Sequence, residues 1–483
     1  MPRAYHQPMN DSEMAGPSPT DGAPAAGGQP PVRRVLVFCI VSLALLMMSV
    51  DSTIVATALH ALQQDLDTSV NWAGWTITAY AFGFVLMLPI SGRMSERYGR
   101  RRVFLGSVVV FTIASLLCGL TSNIVVLVAL RALQAAGGAG FTPSATGIVV
   151  DHFGDARDRA VGLFGSIFPI GAMIGPIFGG LFVNYWSWRG VFFVNLPLGL
   201  AVLALSLRYI PRDPPLQLKA APPLDRLGMV LLAVALLAGM LVTSFLGEHH
   251  MPLSPLQLLA LAAVALACGW WFLRHIDRTP EPFIAPRLVH GTGFGAVNLV
   301  NMIYGGITIG SMVLLPLYAT NRYGMDALDA GTLLMAQGAA SITMSTLATA
   351  VLRRTGYRAP LYLGGTLSAL GMVLVALAPP WGLGAHGWLT AAALIVGVGA
   401  GVVNPASRNA GLQLAPEQSS SIAGLRSLCF QAGTIVVISL ATAVLAHSAT
   451  PGSGQAWVYA GVAALLLVCL PLIRRIPEHH GAW

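Results

Sequence analysis

One acidic residue, Asp51, lies inside an apolar run of this sequence; the other eighteen acids sit in tails, in loops or at the ends of such runs. A charged side chain near the middle of a bilayer costs upwards of about 2.5 kcal/mol, so it faces a cavity and a partner rather than lipid. Arg131 supplies that partner. Asp51 lies about six residues from the outer end of the first run and Arg131 about eight from the outer end of the fourth. At about 1.5 Å per residue these depths are roughly 9 and 12 Å, and the two groups can meet. A conformational change that alters the pairing or the solvation of such a carboxylate alters its hold on a proton. The chemistry expected of Asp51 and Arg131 is proton loading and release, with a purely structural ion pair as the plainer alternative.

Two further constellations bear on movement. Gly171, Gly175 and Gly179 recur at four-residue steps, with Pro176 and Gly180 among them. Such glycines make a smooth helix face for close contact, and a proline loosens the backbone ladder. Simple helix packing explains the same pattern. Between the second and third runs, Gly92, Glu96, Arg97, Gly99, Arg100, Arg101 and Arg102 crowd around a short loop. The arginines hold that loop on the cytoplasmic side. A gating role adds a latch between Glu96 and one arginine that breaks when parts of the protein rock.

The chain that positions these groups has 483 residues, 55% hydrophobic and only 10% charged, against about 25% charged in soluble domains. That excludes an ordinary soluble enzyme. Apolar runs begin near residues 35, 72, 103, 123, 160, 190, 227, 255, 291, 328, 360, 387, 420 and 456. At about 20 residues each, they are long enough to cross a bilayer as helices. An even number places both termini on one side. With the N-terminus inside, 23 of the 27 basic residues fall in inner segments, Arg408 counted among them. Arg189 and Arg322 lie in outer loops, and Arg131 and Arg426 lie within spans. This asymmetry assigns both termini to the cytoplasm and supports the count, because one missed helix scrambles the alternation. The net charge of +8 therefore reflects topology; no basic stripe with aromatic platforms points to nucleic acid. Ala56-Thr57-Ala58 resembles a signal-peptidase site, but the run before it is long enough to span and is read as a retained helix.

The sequence also repeats. Gly356, in Arg354-Thr355-Gly356-Tyr357-Arg358, follows Gly99, in Arg97-Tyr98-Gly99-Arg100-Arg101, by 257 residues. Gly399-Ala400-Gly401 with Pro405 follows Gly138-Ala139-Gly140 with Pro143 by 261 and 262 residues. Gly424-Leu425, Phe430 and Gly433 follow Gly162-Leu163, Phe168 and Gly171 by 262 residues. Matches in order at nearly one offset describe two parallel six-helix halves, with spans 7 and 8 inserted between them. Such halves are a transporter architecture with the substrate site between them near the midplane. The expected fold class is an all-α polytopic membrane protein of 14 transmembrane helices. Its expected divisions are a disordered cytoplasmic tail at residues 1–32, an N-terminal six-helix bundle at 33–208, cytoplasmic linkers with two extra helices at 209–289, a C-terminal six-helix bundle at 290–475 and a cytoplasmic tail at 476–483.

Candidate cargo-cavity groups are Gln134 on span 4, Asn298, Asn301 and Tyr304 at three-residue steps on span 9, Gln337 on span 10, and Arg426 and Gln431 on span 13. Each also suits an interhelical hydrogen bond, and Arg426 is near enough to the inner end to snorkel. Two arginines and one aspartate within the spans suit neutral, amphipathic or anionic cargo better than dications. No nucleophile, metal or cofactor constellation indicates an enzyme. The Glu-His-His groups at 248–250 and 478–480 read as solvated polar residues, and the glycines of Gly397-x-Gly399-x-Gly401 as helix packing.

Residues 92–104, Leu127-x-x-x-Arg131-x-x-Gln134, Gly171-x-x-x-Gly175-Pro176-x-x-Gly179-Gly180 and Val50-Asp51-Ser52-Thr53-Ile54-Val55 fall in the order and places of the signature motifs of the major facilitator superfamily. With fourteen spans, and with Trp186-x-Trp188-Arg189-Gly190-Val191-Phe192 through Asn195-Leu196-Pro197-Leu198-Gly199 leading into span 6, nearly everything after residue 33 resembles the fourteen-span drug:proton antiporter branch. The resemblance implies a major-facilitator fold, proton coupling through Asp51 and Arg131, and an antiporter-type role for the Gly-Pro motif of span 5. The sequence departs from the family's motifs at Glu96, usually Asp; at Ala135, usually Gly; at His60, usually Pro; and at Ala56, usually Asn. Those departures touch the details of gating and proton release. The expected function is export of drug-like or amphipathic small molecules in exchange for protons, in a bacterial inner membrane, with no cofactor beyond the proton as coupling ion. The expected partners are the small-molecule substrate, protons and lipid. Proton symport of a small organic solute and a non-transporting membrane sensor are the alternatives.

Overall fold

The structure, a computed structural model, describes residues 33–481 except 69, 214–224, 247–253, 292, 326, 381–383, 447 and 449. The tail expected to be disordered over residues 1–32 and the Glu-His-His group at 248–250 lie outside the described residues.

Lipid offers the backbone no hydrogen bonds, so each apolar run satisfies its N–H and C=O groups within a helix. Among the described residues all regular structure is helical, and every predicted run coincides with a helix. The first half contains span 1 (Arg34–Asp65), span 2 (Val70–Tyr98), span 3 (Arg100–Leu120), span 4 (Ile124–Gly138 continued by Phe141–His152), span 5 (Arg157–Tyr185) and span 6 (Gly190–Phe193 continued by Asn195–Tyr209). Span 7 (Arg226–Leu246) and span 8 (Pro255–Arg278) follow. The second half contains span 9 (four segments from Phe294 to Tyr323), span 10 (Ala327–Thr355), span 11 (Arg358–Ala376), span 12 (Ala385–Leu412), span 13 (Ser419–Ala446) and span 14 (Pro451–Val468). Among the described residues twelve passes are long and apolar enough to cross a membrane by themselves. The other two are span 7, whose apolar part is shorter, and span 10, which Gly, Ser, Thr and Gln dilute.

Local chemistry sets the ends and breaks. Asn123 starts span 4 by accepting hydrogen bonds from the amides of Val125 and Val126 at 2.9 and 3.1 Å, which meets two of the donors that a helix start leaves open. Ser254 and Gln257 form a reciprocal capping box at the start of span 8, with Pro255 as its first residue. Span 1 runs eight residues past Thr57, where the apolar run ends, because its polar last turns are held against the segment before span 6. Asp51 therefore sits near the middle of its helix rather than close to one end. Span 9 is irregular: a π-helical turn covers Asn301–Ile307 between two α-helical pieces, a feature often found at functional sites.

One buried cluster is built mainly by the first half, around Ile40, Phe104, Phe111, Phe141 and Phe164, and extends to Phe272 and Ile276 of span 8. A second belongs to the second half, around Val300, Tyr318, Leu361, Val396 and Leu466. The hydrogen bonds that join the halves gather at the arginine-rich end, where both ends of the described chain also lie. Asn409 donates to the Asp158 carbonyl at 3.1 Å, and Asn404 reaches the Gly165 carbonyl at 3.4 Å. Pro169 deprives that Gly165 carbonyl of its helical donor, so a side chain from the other half takes the vacant place.

Candidate functional site

Five helices of the first half converge on Asp51. Its carboxylate is completely buried, as is Arg131, and the Arg131 guanidinium meets it at 2.8 Å. Gln134 and Asn195 each donate to the other carboxylate oxygen at 2.8 Å. Gln134 also donates to Ser115 at 2.6 Å and accepts from Arg131 at 2.6 Å. The Tyr80 ring lies 4.2 Å from the Arg131 guanidinium carbon, close enough for a cation–π attraction. The arrangement is one negative and one positive charge, shut from solvent, with both carboxylate oxygens occupied. Such a pair holds only while its hydrogen bonds stay complete.

Gln134, expected among the cargo-cavity groups, is thus a hydrogen-bond partner of Asp51. Tyr80, Ser115 and Asn195 escaped the sequence reading. Asn195 carried a signal, since it opens the Asn-Leu-Pro segment leading into span 6; the other two are ordinary polar residues in apolar helices.

The glycines of span 5 press against span 1, the helix that carries Asp51. A Cβ at Gly175 would stand 3.0 Å from the Val50 carbonyl oxygen and overlap the Thr53 hydroxyl; at Gly179 it would stand 2.8 Å from the Ile54 carbonyl oxygen. Gly171 meets Ser49 in the same way, so the face runs along Ser49, Thr53 and Thr57. Gly180 has no neighbour within 4 Å and Pro176 is exposed, so these two are not part of the contact.

At the arginine-rich end, the carboxylate of Glu96 accepts from the backbone amide and the hydroxyl of Ser421, both at 2.7 Å. The expected arginine partner is replaced by the first turn of span 13, because helix starts carry open amides and partial positive charge. Gly92 lies against the same turn: a Cβ there would be 2.8 Å from the Ser420 carbonyl oxygen. Arg100 pairs with Asp151 and donates to the Glu417 carbonyl at 3.3 Å. Arg101 donates to the Leu207 carbonyl at 2.7 Å, and the Arg97 guanidinium lies over the Tyr98 ring.

Gly99 has φ +101°, a conformation that L side chains rarely adopt. The helix start beyond it is capped by Asp213, which accepts from the amides of Arg101 and Arg102 at 3.0 and 2.9 Å. The repeat-related Gly356 has φ +67°, and Glu478 caps the amides of Tyr357 and Arg358 in the same manner. Glu478 is therefore a helix cap, not the freely solvated residue expected. The counterpart of the Glu96 contact is a two-pronged ion pair of Arg353 with Asp158 of span 5, at 2.8 and 2.9 Å.

The cargo candidates do not line one wall. Asn298 donates to the Leu288 carbonyl at 2.8 Å, Asn301 to the Arg426 carbonyl at 2.6 Å and Tyr304 to the Leu466 carbonyl at 2.6 Å. Three different neighbours hold them, so they act as interhelical bridges. Gln337 is buried where span 10 presses on Gly397 of span 12, and Gln431 is half-buried on span 13. Arg426 does not snorkel; it is 8% exposed. Arg408, expected in an inner loop, is inside span 12 and 7% exposed. The helix includes Arg408 and runs on to Leu412, past the end that the apolar pattern alone suggests.

At the opposite end, Asp65 accepts from the Trp188 indole at 3.0 Å and from the Arg189 guanidinium at 2.5 Å. The hydrogen bond from Arg189, aided by that from Trp188, holds this carboxyl below its ordinary range. Among the described residues no cluster of His, Cys, Asp or Glu is suited to hold a metal.

The model of the Major Facilitator Superfamily matches residues 41–438 and, in a second alignment, 299–482. The methylenomycin A resistance protein of Streptomyces coelicolor is 30% identical over 470 residues, covering 95% of this chain and 96% of that protein. The tetracenomycin C resistance and export protein of Streptomyces glaucescens is 30% identical over 410 residues, covering 84% of this chain and 74% of its own. Among solved structures, a human organic anion transporter superposes with a TM-score of 0.65 at 19% identity, over 92% of this chain and 100% of that one. At that identity the likeness concerns the fold alone.

Proposed function

Since the chain belongs to the major facilitator superfamily and is a multi-pass membrane transporter rather than an enzyme, we propose that it exports drug-like or amphipathic small molecules in exchange for protons by alternating access. The observation that carries this reading is the Asp51–Arg131 pair, a charge buried at 0% exposure with every oxygen bonded. A carboxylate so placed gains or loses a proton only if its surroundings rearrange, which is the requirement for coupling. Relatives named for antibiotic resistance and export support the direction.

The arginine-rich end is taken as cytoplasmic, with both termini on that side and the protein in a bacterial inner membrane. The halves are joined there, so on this reading the conformation described is closed toward the cytoplasm. Loosening of the contacts around Asp51 from the outer side admits a proton, which neutralises the carboxylate and removes the acceptor that Arg131 needs. Arg131, Gln134 and Asn195 then lose their common anchor, and span 1 is freed to shift along the glycine face of span 5. That shift tilts the six-helix bodies at residues 33–208 and 290–475 and opens the Glu96 and Arg353 contacts to the cytoplasm. Cargo enters, the proton leaves inward, and the pair re-forms as the inner contacts close. The membrane potential contributes about 2.3 kcal/mol per 100 mV for each net charge moved.

Everted vesicles test this. Addition of a transported compound should collapse a preformed proton gradient. Symport would instead alkalinise the medium around whole cells as solute enters, and a sensor would do neither.

A further inference from the structure

We infer that Arg408 and Arg426 form an anion site on the seam between the two halves and that it receives the carboxylate, or a comparable oxyanion group, of the cargo. The inference rests on the transport reading above and narrows its substrate class.

Both side chains are more than nine-tenths buried. They line one small cavity together with Thr146 and Val161 of the first half and Leu412 and Ile422 of the second. The Nε of Arg408 donates to Asn404 at 2.6 Å. Among the described residues no carboxylate forms an ion pair with either guanidinium. Four acids of this end are committed elsewhere: Glu96 to Ser421, Asp158 to Arg353, Asp151 to Arg100 and Glu417 to Arg287.

Arg131, the other buried guanidinium of the spans, has its Asp51. Arg408 and Arg426 have no such counterion, and two buried like charges facing one cavity repel each other. A guanidinium is a planar fork whose paired N–H groups match the two oxygens of a carboxylate. The site therefore presents positive charge that no side-chain carboxylate of the described residues neutralises, the chemistry that recognises an oxyanion.

Its position decides which anion. The walls come from both halves, with Ile422 next to the Ser421 that Glu96 holds and Val161 one turn from the Asp158 that Arg353 holds, and in the closed arrangement the cavity is too small for cargo. Parting those contacts separates Thr146 and Val161 from Arg408 and Arg426, which opens the arginines to the cytoplasm. Reclosure shrinks the space and expels an organic ligand toward the outer side. An inorganic anion such as chloride shares the charge but not the apolar body that the adjoining Leu412, Ile422 and Val161 accommodate.

The test uses the purified full-length chain and matched probes: 1-naphthoate and octanoate, their primary amides, the corresponding ammonium compounds, and sodium chloride. Thermal stabilisation is read for the wild type, Arg408→Gln, Arg426→Gln and Arg426→Lys. Each glutamine variant removes a buried unpaired charge and should fold at least as well as the wild type. The expected result is stabilisation by a carboxylate over its amide and ammonium, with the half-saturating concentration rising at least about tenfold in both glutamine variants and less in Arg426→Lys. Equal response to the amides, preference for the ammonium compounds, carboxylate binding unchanged in both glutamine variants, absence of any carboxylate effect, or full reproduction of the effect by chloride would each overturn the assignment. Everted vesicles separate this outcome from failure of the transport reading. Arginine-dependent carboxylate binding without proton movement sinks antiport and leaves the anion site; proton movement driven only by neutral or cationic compounds does the reverse.

Discussion

Glu96 of the first half holds the first turn of span 13 in the second half through Ser421, taking its amide and its hydroxyl at 2.7 Å each. The repeat-related contact, Arg353 with Asp158, runs in the opposite sense, with the second half reaching into span 5 of the first. The two contacts form a pseudo-symmetric clasp at one end of the molecule. Each lies just before a left-handed glycine, Gly99 or Gly356, that turns the chain into the next helix.

Weakening the clasp should favour the state opened toward the arginine-rich end. Hydrogen bonds to charged groups contribute about 1.5–3 kcal/mol. Glu96→Gln should keep the fold yet raise the labelling rate of a cysteine placed at Ser407, and Arg353→Ala combined with it should raise that rate further. Labelling as slow as in the intact clasp would show that it is not what closes this end.

Asp51→Asn keeps one oxygen that accepts from Gln134 and Asn195, gives up the acceptor that Arg131 uses and cannot titrate. The variant should insert and fold while losing uphill transport completely. Gradient-driven transport at the wild-type rate in vesicles would refute a proton-carrying role for Asp51.

The glycine face of span 5 makes a graded prediction. Gly175→Ala places a methyl group against the Val50 carbonyl and the Thr53 hydroxyl, so spans 1 and 5 must separate and transport should fall steeply. Gly180→Ala meets nothing within 4 Å and should leave transport rates near wild type. Equal sensitivity at both positions would contradict the contact.

Asp65, at the end opposite the arginine-rich one, supplies a pH test. Its folded pKa is depressed by Arg189 and Trp188, so its contribution to stability is present above the unfolded value, about 3.9, and is lost as pH falls through the folded value. The contact is partly exposed and worth less than about 1 kcal/mol. Asp65→Asn should lower the melting temperature slightly at pH 7, and the difference should disappear in strong acid. A difference that grows on acidification would reverse the sign and exclude this account.

The number and place of the spans, the crowding of arginine at one end and the internal repeat were legible because hydropathy and charge act along the chain, independently of which helix touches which. The meeting of Asp51 with Arg131 was legible for a related reason: depth follows from position along a helix, and a buried charge demands a partner. Rotation of a helix about its axis was not. In spans that are apolar on nearly every face, periodicity does not say which side meets which neighbour, so Gln134 and Asn195 joining Asp51, Ser421 replacing an arginine at Glu96, and Asn301 turning to span 13 emerged only in three dimensions. The same holds for Arg408, which a linear reading assigns to a loop and which packing of the two halves buries beside Arg426. The order of apolar and charged residues along the chain specified a membrane helix bundle with one acid inside an apolar run; the contacts between its helices decided which polar groups work together.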